Sequence, residues 1–203
     1  MEQISPTDAD VKLAAKAVDA TLEGQLREMY GRVAYTHKTH EKMADRYVAR
    51  YKCIKTAEIV FSAASSGSLL FAVFGDSSTA TIIGAVLSTV LLWLTLYFKE
   101  ASLGEYAQKH TEVASKLWAI REALLSLLTD MQDGRDAVSI RTERDKLNAT
   151  LADVYRSAPR TDSVAYAAAQ QALKQQEELF FSESELDHLL PSKLRKSHPN
   201  TES

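Results

Sequence analysis

Apolar residues recur every third or fourth position at Val11, Ala14, Val18, Leu22, Leu26, Met29, Val33, Ala44, Tyr47, Tyr51 and Ile54, with polar residues filling the other faces. That period predicts a long helix with one sticky stripe. The alternation then stops. Residues 59–74 (IVFSAASSGSLLFAVF) and 77–98 (SSTATIIGAVLSTVLLWLTLYF) carry no charged side chain, and a polar break of Gly75, Asp76, Ser77 and Ser78 lies between them. A hydrocarbon core about 30 Å thick takes about 20 helical residues. The second segment meets that length outright, and the first meets it when Ala57, Glu58 and Gly75 sit in the interfacial zone. A buried hairpin in a soluble bundle is the alternative, but such a helix shows a polar stripe that these segments lack. The pattern therefore predicts two membrane spans, at about 57–75 and 79–98.

The striped pattern resumes after the second span at Leu103, Ala107, Val113, Leu117, Ile120, Leu124 and Leu128. This second helix leaves the membrane beside the first and runs antiparallel to it, so that the two stripes close on each other. Gly104 marks a possible bend within it, as Gly24 and Gly31 do in the first helix, each costing about 1 kcal/mol against alanine in a helix interior. Asp133 and Gly134 read as a turn, and residues 136–157 as a helix folding back with Ile140, Leu147, Leu151, Val154 and Tyr155 on one face. Ala158 and Pro159 end it. Residues 162–181 are rich in alanine and glutamine with few apolar anchors, so they are helical by propensity and expected to take their packing from another subunit. Ser182 and Glu185 form a capping-box pattern before a last short helix at 186–190, which Pro191 stops. At the other end, Ser5, Pro6, Thr7 and Asp8 have the marks of a helix start. The predicted fold is an all-α membrane protein, a two-helix transmembrane hairpin continuous with long antiparallel cytosolic helices, plus C-terminal helices. Its divisions are a stalk at 1–56, the hairpin at 57–98, a second stalk helix at 99–133, C-terminal helices at 135–190 and a disordered tail at 191–203.

Composition adds orientation. The chain has 203 residues, a net charge of −3, seven glycines, four prolines and one cysteine, and its mean hydropathy of −0.21 shows that the apolar content is local. No proline falls between Pro6 and Pro159, so helix runs without a hard interruption. Cys53 excludes an internal disulfide framework and reads as a free buried thiol. The start MEQISPTDAD is not a signal peptide, so insertion uses the internal hairpin. Lys42, Arg46, Arg50, Lys52 and Lys55, against Asp45 and then Glu58, precede the first span, whereas the polar break carries Asp76 alone. Positive residues beside a span hold that side in the cytoplasm, which places both termini inside at the inner membrane. Tyr51, Trp93, Tyr97 and Phe98 lie at the inner edges, either as an interfacial belt or packed between helices. The small net charge and the lack of a basic, aromatic-interleaved stripe argue against a nucleic-acid partner.

Candidate chemistry is sparse. His37 and His40, at i and i+3 beside Glu41, share a helix face, but the spacing is not the zincin His-Glu-x-x-His, and a third ligand such as His110 would have to come from another helix. The expectation is a structural or protonation role with no bound metal. No phosphate-binding glycine loop, nucleophile elbow or Cys-x-x-Cys motif is present, and neither an enzyme activity nor a cofactor is predicted. Small and hydroxylated residues in the spans are more suggestive: Ser62, Ser65 and Ser66 in the first, and Thr81, Gly84, Ser88 and Thr95 in the second. They can pack helices closely or line a narrow wet path, and the latter needs several subunits. Ser88 lies on both the hydroxyl face and the small-residue file, and Leu91 is expected off that face.

Residues 30–58 (YGRVAYTHKTHEKMADRYVARYKCIKTAE), leading into a two-span hairpin with a short polar turn, resemble the SLATT family of bacterial two-span effectors. The resemblance covers roughly 11–128, its core being Tyr35, Thr36, His37, Lys38 and Thr39 with the hairpin placed after it. It implies a membrane effector that forms pores and kills or arrests phage-infected cells, alongside a signalling or sensor protein encoded nearby. The leading expectation is an oligomer in the lipid bilayer whose hairpin, with Ser62, Ser66, Thr81, Gly84, Ser88 and Thr95 on the candidate face, disrupts the membrane. A non-conducting anchor whose helical stalk recruits a cytosolic enzyme or regulator is the second reading, and a metal- or pH-responsive protein using His37 and His40 the third.

Overall fold

The computed structural model describes residues 8–75, 78–100, 102–179 and 181–196, with side chains described from Thr21 onward except that of Glu100. The described residues form helices α1 (Asp8–Gly75), α2 (Ser78–Glu100), α3 (Leu103–Gln132), α4 (Ala137–Ser157), α5 (Ser163–Lys174) and α6 (Glu183–Leu189), with a 3-10 turn at Ser192–Leu194 and no strand among them. The helix-start residues Ser5 to Thr7, the side chains of Val11, Ala14 and Val18, Asp76 and Ser77 of the polar break, and residues 197–203 of the tail lie outside the described set.

The first helix is unbroken over 68 residues, which makes it about 100 Å long at 1.5 Å per residue. Gly24 and Gly31 sit inside it with open space where a side chain would be. Two different environments follow along its length. In the first, Leu22, Leu26, Met29 and Val33 meet Val113, Leu117, Ile120, Leu124 and Leu127 of α3, and Ile140, Leu151 and Val154 of α4 close the same core. The stripes read from the sequence are thus the faces that meet. In the second, α1 pairs with α2 alone, and large apolar side chains point outward: Ile59 is 69% exposed, Phe71 64%, Phe74 86% and Ile82 64%. An apolar surface this continuous on two helices long enough to cross a bilayer is lipid-facing, not the core of a soluble bundle. The chain is an all-α membrane protein with a two-span hairpin.

Between these environments the stripe weakens. Tyr51 is 45% exposed and Cys53 is exposed, not buried as expected, because this stretch of α1 has left the α3–α4 core and faces one neighbouring helix at most. Tyr51, Trp93 and Tyr97 all present their rings outward; Trp93 and Tyr97 stack at 5.4 Å between ring centroids, and Lys55 Nζ lies 5.8 Å from the Tyr51 ring.

The return path is jointed where α1 is not. The chain breaks at Ser102, which takes the left-handed conformation (φ 43°, ψ 36°), and α3 starts immediately after it. The bend therefore falls at Ser102, two residues before Gly104, which is regular α3 with open space around it. At the far end of α3 the Asp133–Gly134 turn is as expected: Gly134 adopts φ +90°, and Arg135 N–H donates to the Asp130 carbonyl at 3.0 Å. Asp136 caps α4 by accepting from Ser139 N–H at 2.9 Å.

The C-terminal helices depart from expectation in one respect. Residues 162–181 do not form one helix awaiting another subunit: α5 ends at Lys174 and packs on α1 of its own chain, burying Ala165, Ala169, Ala172 and Leu173. Alanine was the signal for close approach rather than for missing anchors. Tyr35 of α1 stacks on Tyr166 of α5 at 6.2 Å. The capping box at Ser182 and Glu185 forms and starts α6, and residues 192–194 make a turn at the head of a stretch expected to be disordered.

Candidate functional site

Within the hairpin the small and hydroxylated residues divide into two groups. Ser65 is buried and donates to the Gly84 carbonyl at 3.2 Å, and its hydroxyl lies 2.6 Å from that of Ser88. A Cβ on Gly84 would come within 3.2 Å of the Leu69 side chain and 3.4 Å of Ser68 Cβ. Ser65, Gly84 and Ser88 therefore form the seam between the two spans, where lack of a side chain at Gly84 sets the closeness of approach. The second group looks outward. Ser62 and Ser66 of α1 and Thr95 of α2 line a groove of about 460 Å³ together with Leu91 and Glu58. Thr81 is exposed near the start of α2. The sequence placed Ser88 on both the hydroxyl face and the small-residue file, with Leu91 off that face; the structure has Ser88 at the seam, as a small-residue file packs, and Leu91 in the groove.

A second group of residues lies in the layer beyond the spans. His37, His40 and His110 are all buried. His37 Nδ1 donates to the Ala114 carbonyl at 2.9 Å, which leaves Nε2 toward Glu41 at 3.6 Å. His40 and His110 meet Nδ1 to Nδ1 at 2.9 Å, so one ring donates and the other must present a bare nitrogen. Tyr47 stacks on His110 at 5.6 Å and on Tyr106 at the same separation, sealing this pair from water. Burial holds the His40 pKa down to about 4, and His110 and His37 add to the effect. Burial lowers that of His110 as well, partly opposed by Asp162. The pair is a neutral, buried junction between α1 and α3. Among the described residues no three His, Cys, Asp or Glu side chains are grouped to hold a metal ion.

On the same stretch of α1, Lys38 and Lys42 face a cavity of about 650 Å³ between α1 and α3, which His37 also lines. Lys38 is 8% exposed. Its Nζ donates to Glu41 at 2.7 Å and to Glu178, while Lys42 Nζ donates to the same Glu178 carboxylate at 3.0 Å. Burial opposes the Lys38 charge, yet the bonds to Glu178 and Glu41 outweigh it and raise the pKa. Sequence reasoning passed over this group. Lys38 and Lys42 at i, i+4 were visible, but nothing local shows that Glu178, 136 positions from Lys42, closes over them.

The juxtamembrane basic residues serve different ends. Arg46 Nη1 contacts both Asp162 oxygens at 2.6 Å, and Asp162 also caps α5 by accepting from Ala165 N–H at 2.8 Å. Lys55 pairs with Glu58 at 2.9 Å. Arg50 and Lys52 are exposed and point their charge to the surface.

No curated protein and no solved structure matches the chain. Residues 22–185, which take in the core, the hairpin, the histidine pair and the lysine cavity, match the family described as SMODS and SLOG-associating 2TM effector domain family 4. The chain thus belongs to the SLATT two-span effector domains, and is a membrane effector of conflict and defence systems.

Proposed function

We propose that this effector acts as a homo-oligomer that breaches the inner membrane, so that an infected cell is killed or arrested. The observation that carries the reading is the groove of Ser62, Ser66 and Thr95, which sets three hydroxyls on the outer face of the hairpin, within the two candidate spans. Ser68 and Thr89 satisfy their hydroxyls on their own helix, bonding the carbonyls of Ala64 and Ala85, whereas hydroxyls grouped on one face can also bond another helix or water. Two spans cannot enclose a path, whereas a ring of hairpins with this face inward can. The helices beyond the spans assemble the ring and receive the signal, from a sensor or signalling protein encoded nearby. Catalysis is not part of this function, and no nucleic acid is bound. Both termini are cytoplasmic, since Arg50 and Lys52 are exposed beside the first span.

The test is dye leakage from liposomes holding the purified protein, with and without the neighbouring gene product. Ser62→Leu with Ser66→Leu is expected to abolish leakage at unchanged membrane levels. Ser88→Ala, which touches the seam, is expected to leave leakage through the groove face in place. Equal leakage from the wild type and the double variant refutes a path lined by this face. A wild type that never leaks is instead a non-conducting anchor.

A further inference from the structure

The Glu178 carboxylate bridges Lys38 and Lys42 from a segment that is held in an unfavourable conformation. The residue before it, Glu177, has φ 50°, and the residue after it, Leu179, has φ 133°. The first lies three residues past the end of α5, where few side-chain-bearing residues are left-handed, and Glu178 N–H donates to the Ala172 carbonyl at 3.1 Å across this turn. The second lies in a region that side-chain-bearing residues rarely occupy. Such strain persists where surrounding contacts over-determine it, and the contacts here are the two ammonium groups.

Lys38 is too deeply buried to stand with Glu41 alone, so Glu178 cannot simply leave. Another anion must take its place. Room for one exists: the cavity of about 650 Å³ continues past the carboxylate to Thr111, Ser115 and the half-exposed Trp118 of α3, a volume in the range of small-molecule sites. The charged groups facing it are Lys38, Glu41, Lys42 and Asp45 with His37 on α1, and Glu178 on the closing segment; α3 contributes hydroxyls and the indole but no charge. Glu41 bonds Lys38, and Asp45 is exposed at the rim, so the gap between the two lysines is the one place suited to an oxyanion.

We propose that this cavity binds a small molecule through a carboxylate or phosphate head seated between Lys38 and Lys42, and that Glu178 occupies the seat until such a ligand displaces it. The body of the ligand lies against Trp118. Exchange frees the segment that follows α5 and lets its backbone relax.

Trp93 and Trp118 are the two tryptophans of the chain, so the full-length protein carrying Trp93→Phe reports on Trp118 alone. In detergent micelles its emission is titrated with pyrophosphate and, separately, with succinate, at ionic strength held constant with sodium chloride. A saturable change is expected with at least one of the two, and which one responds identifies the head group as phosphate or carboxylate. Glu178→Gln removes the internal competitor and is expected to tighten binding by about tenfold or more, while Lys42→Gln weakens it by about tenfold. Circular dichroism checks that each variant keeps its helices, and the Glu178→Gln comparison decides alone if Lys42→Gln does not fold. A response no different from chloride with both probes, or equal affinity in the wild type and Glu178→Gln, overturns the proposal.

Discussion

Acid should loosen the membrane-distal layer through one identifiable contact. His40 and His110 share a hydrogen bond of 2.9 Å between like nitrogens, which both rings cannot keep once both carry protons on Nδ1. The groups around them do not relieve the charge: Tyr47 and Tyr106 stack nearby without neutralising it, His37 adds to the repulsion, and Asp162, which favours the charged form of His110, is engaged by Arg46. The folded pKa of His40 is about 4 against an ordinary 6.5. The unfolded chain therefore binds more protons than the folded one between these values, and stability must fall as pH falls through that window. At about 1.4 kcal/mol per pH unit, the interval amounts to about 3 kcal/mol from His40, present in full above about pH 6.5 and lost by about pH 4. His110 acts in the same direction. Thermal unfolding of the full-length protein in non-ionic detergent, followed by circular dichroism from pH 7.5 to 4.5, should show this loss. The variant with His40→Gln and His110→Gln should show a much shallower slope over the same range, which separates the imidazoles from carboxylates that titrate lower. Imidazole proton resonances give a second reading, in which His40 stays neutral at pH 5. Equal slopes in the wild type and the double variant, or a His40 that titrates near 6.5, would refute the argument.

Gly24→Ala should raise stability by about 1 kcal/mol, because the site is helical with nothing near the new methyl; an unchanged or lower melting temperature counts against a regular helix there. Gly134→Ala should cost about 1 kcal/mol at its φ of +90°, and no loss would mean the turn is differently formed. Gly84→Ile should push α2 off Leu69 and Ser68, seen as faster proteolysis in the spans, while Ser65→Ala removes one buried hydroxyl with a smaller effect; the reverse order would misplace the seam. On the topology of the hairpin, an impermeant thiol reagent applied to intact cells should label Ser77→Cys and spare Ser203→Cys. The exposed Cys53 is replaced by serine in both, and the opposite labelling pattern would invert the proposed orientation.

The fold was legible because it is written in long-range periodicity. The faces that meet in α1, α3 and α4 are the stripes themselves, and the loss of polar residues over two helix lengths marks the spans. What a stripe cannot convey is the rotation of one apolar helix against another, since every face is then acceptable to lipid; Ser88, read as both hydroxyl face and packing file, is the latter, and Leu91 lines the groove for that reason. Alanine misled in α5, where a small side chain is a packing surface when the neighbour is a straight helix. Burial of a lysine was invisible for a different cause: Lys38 and Lys42 look like a solvated face until a carboxylate from far along the chain covers them. The histidines gave the reverse case, where a spacing poor for metal led to a structural expectation and the third imidazole, His110, arrived opposite His40.

The two paths between the membrane and the outer helices differ mechanically. On one side an uninterrupted rod joins Lys38 to Ser65, about 40 Å along the axis, with no proline to absorb a twist. On the other, the helix is interrupted at Ser102, so α2 and α3 are two rods and not one. Any shift of Lys38 along the axis of α1 is thus carried through unbroken helix to Ser65 at the seam, while no continuous helix carries a shift of α3 into α2.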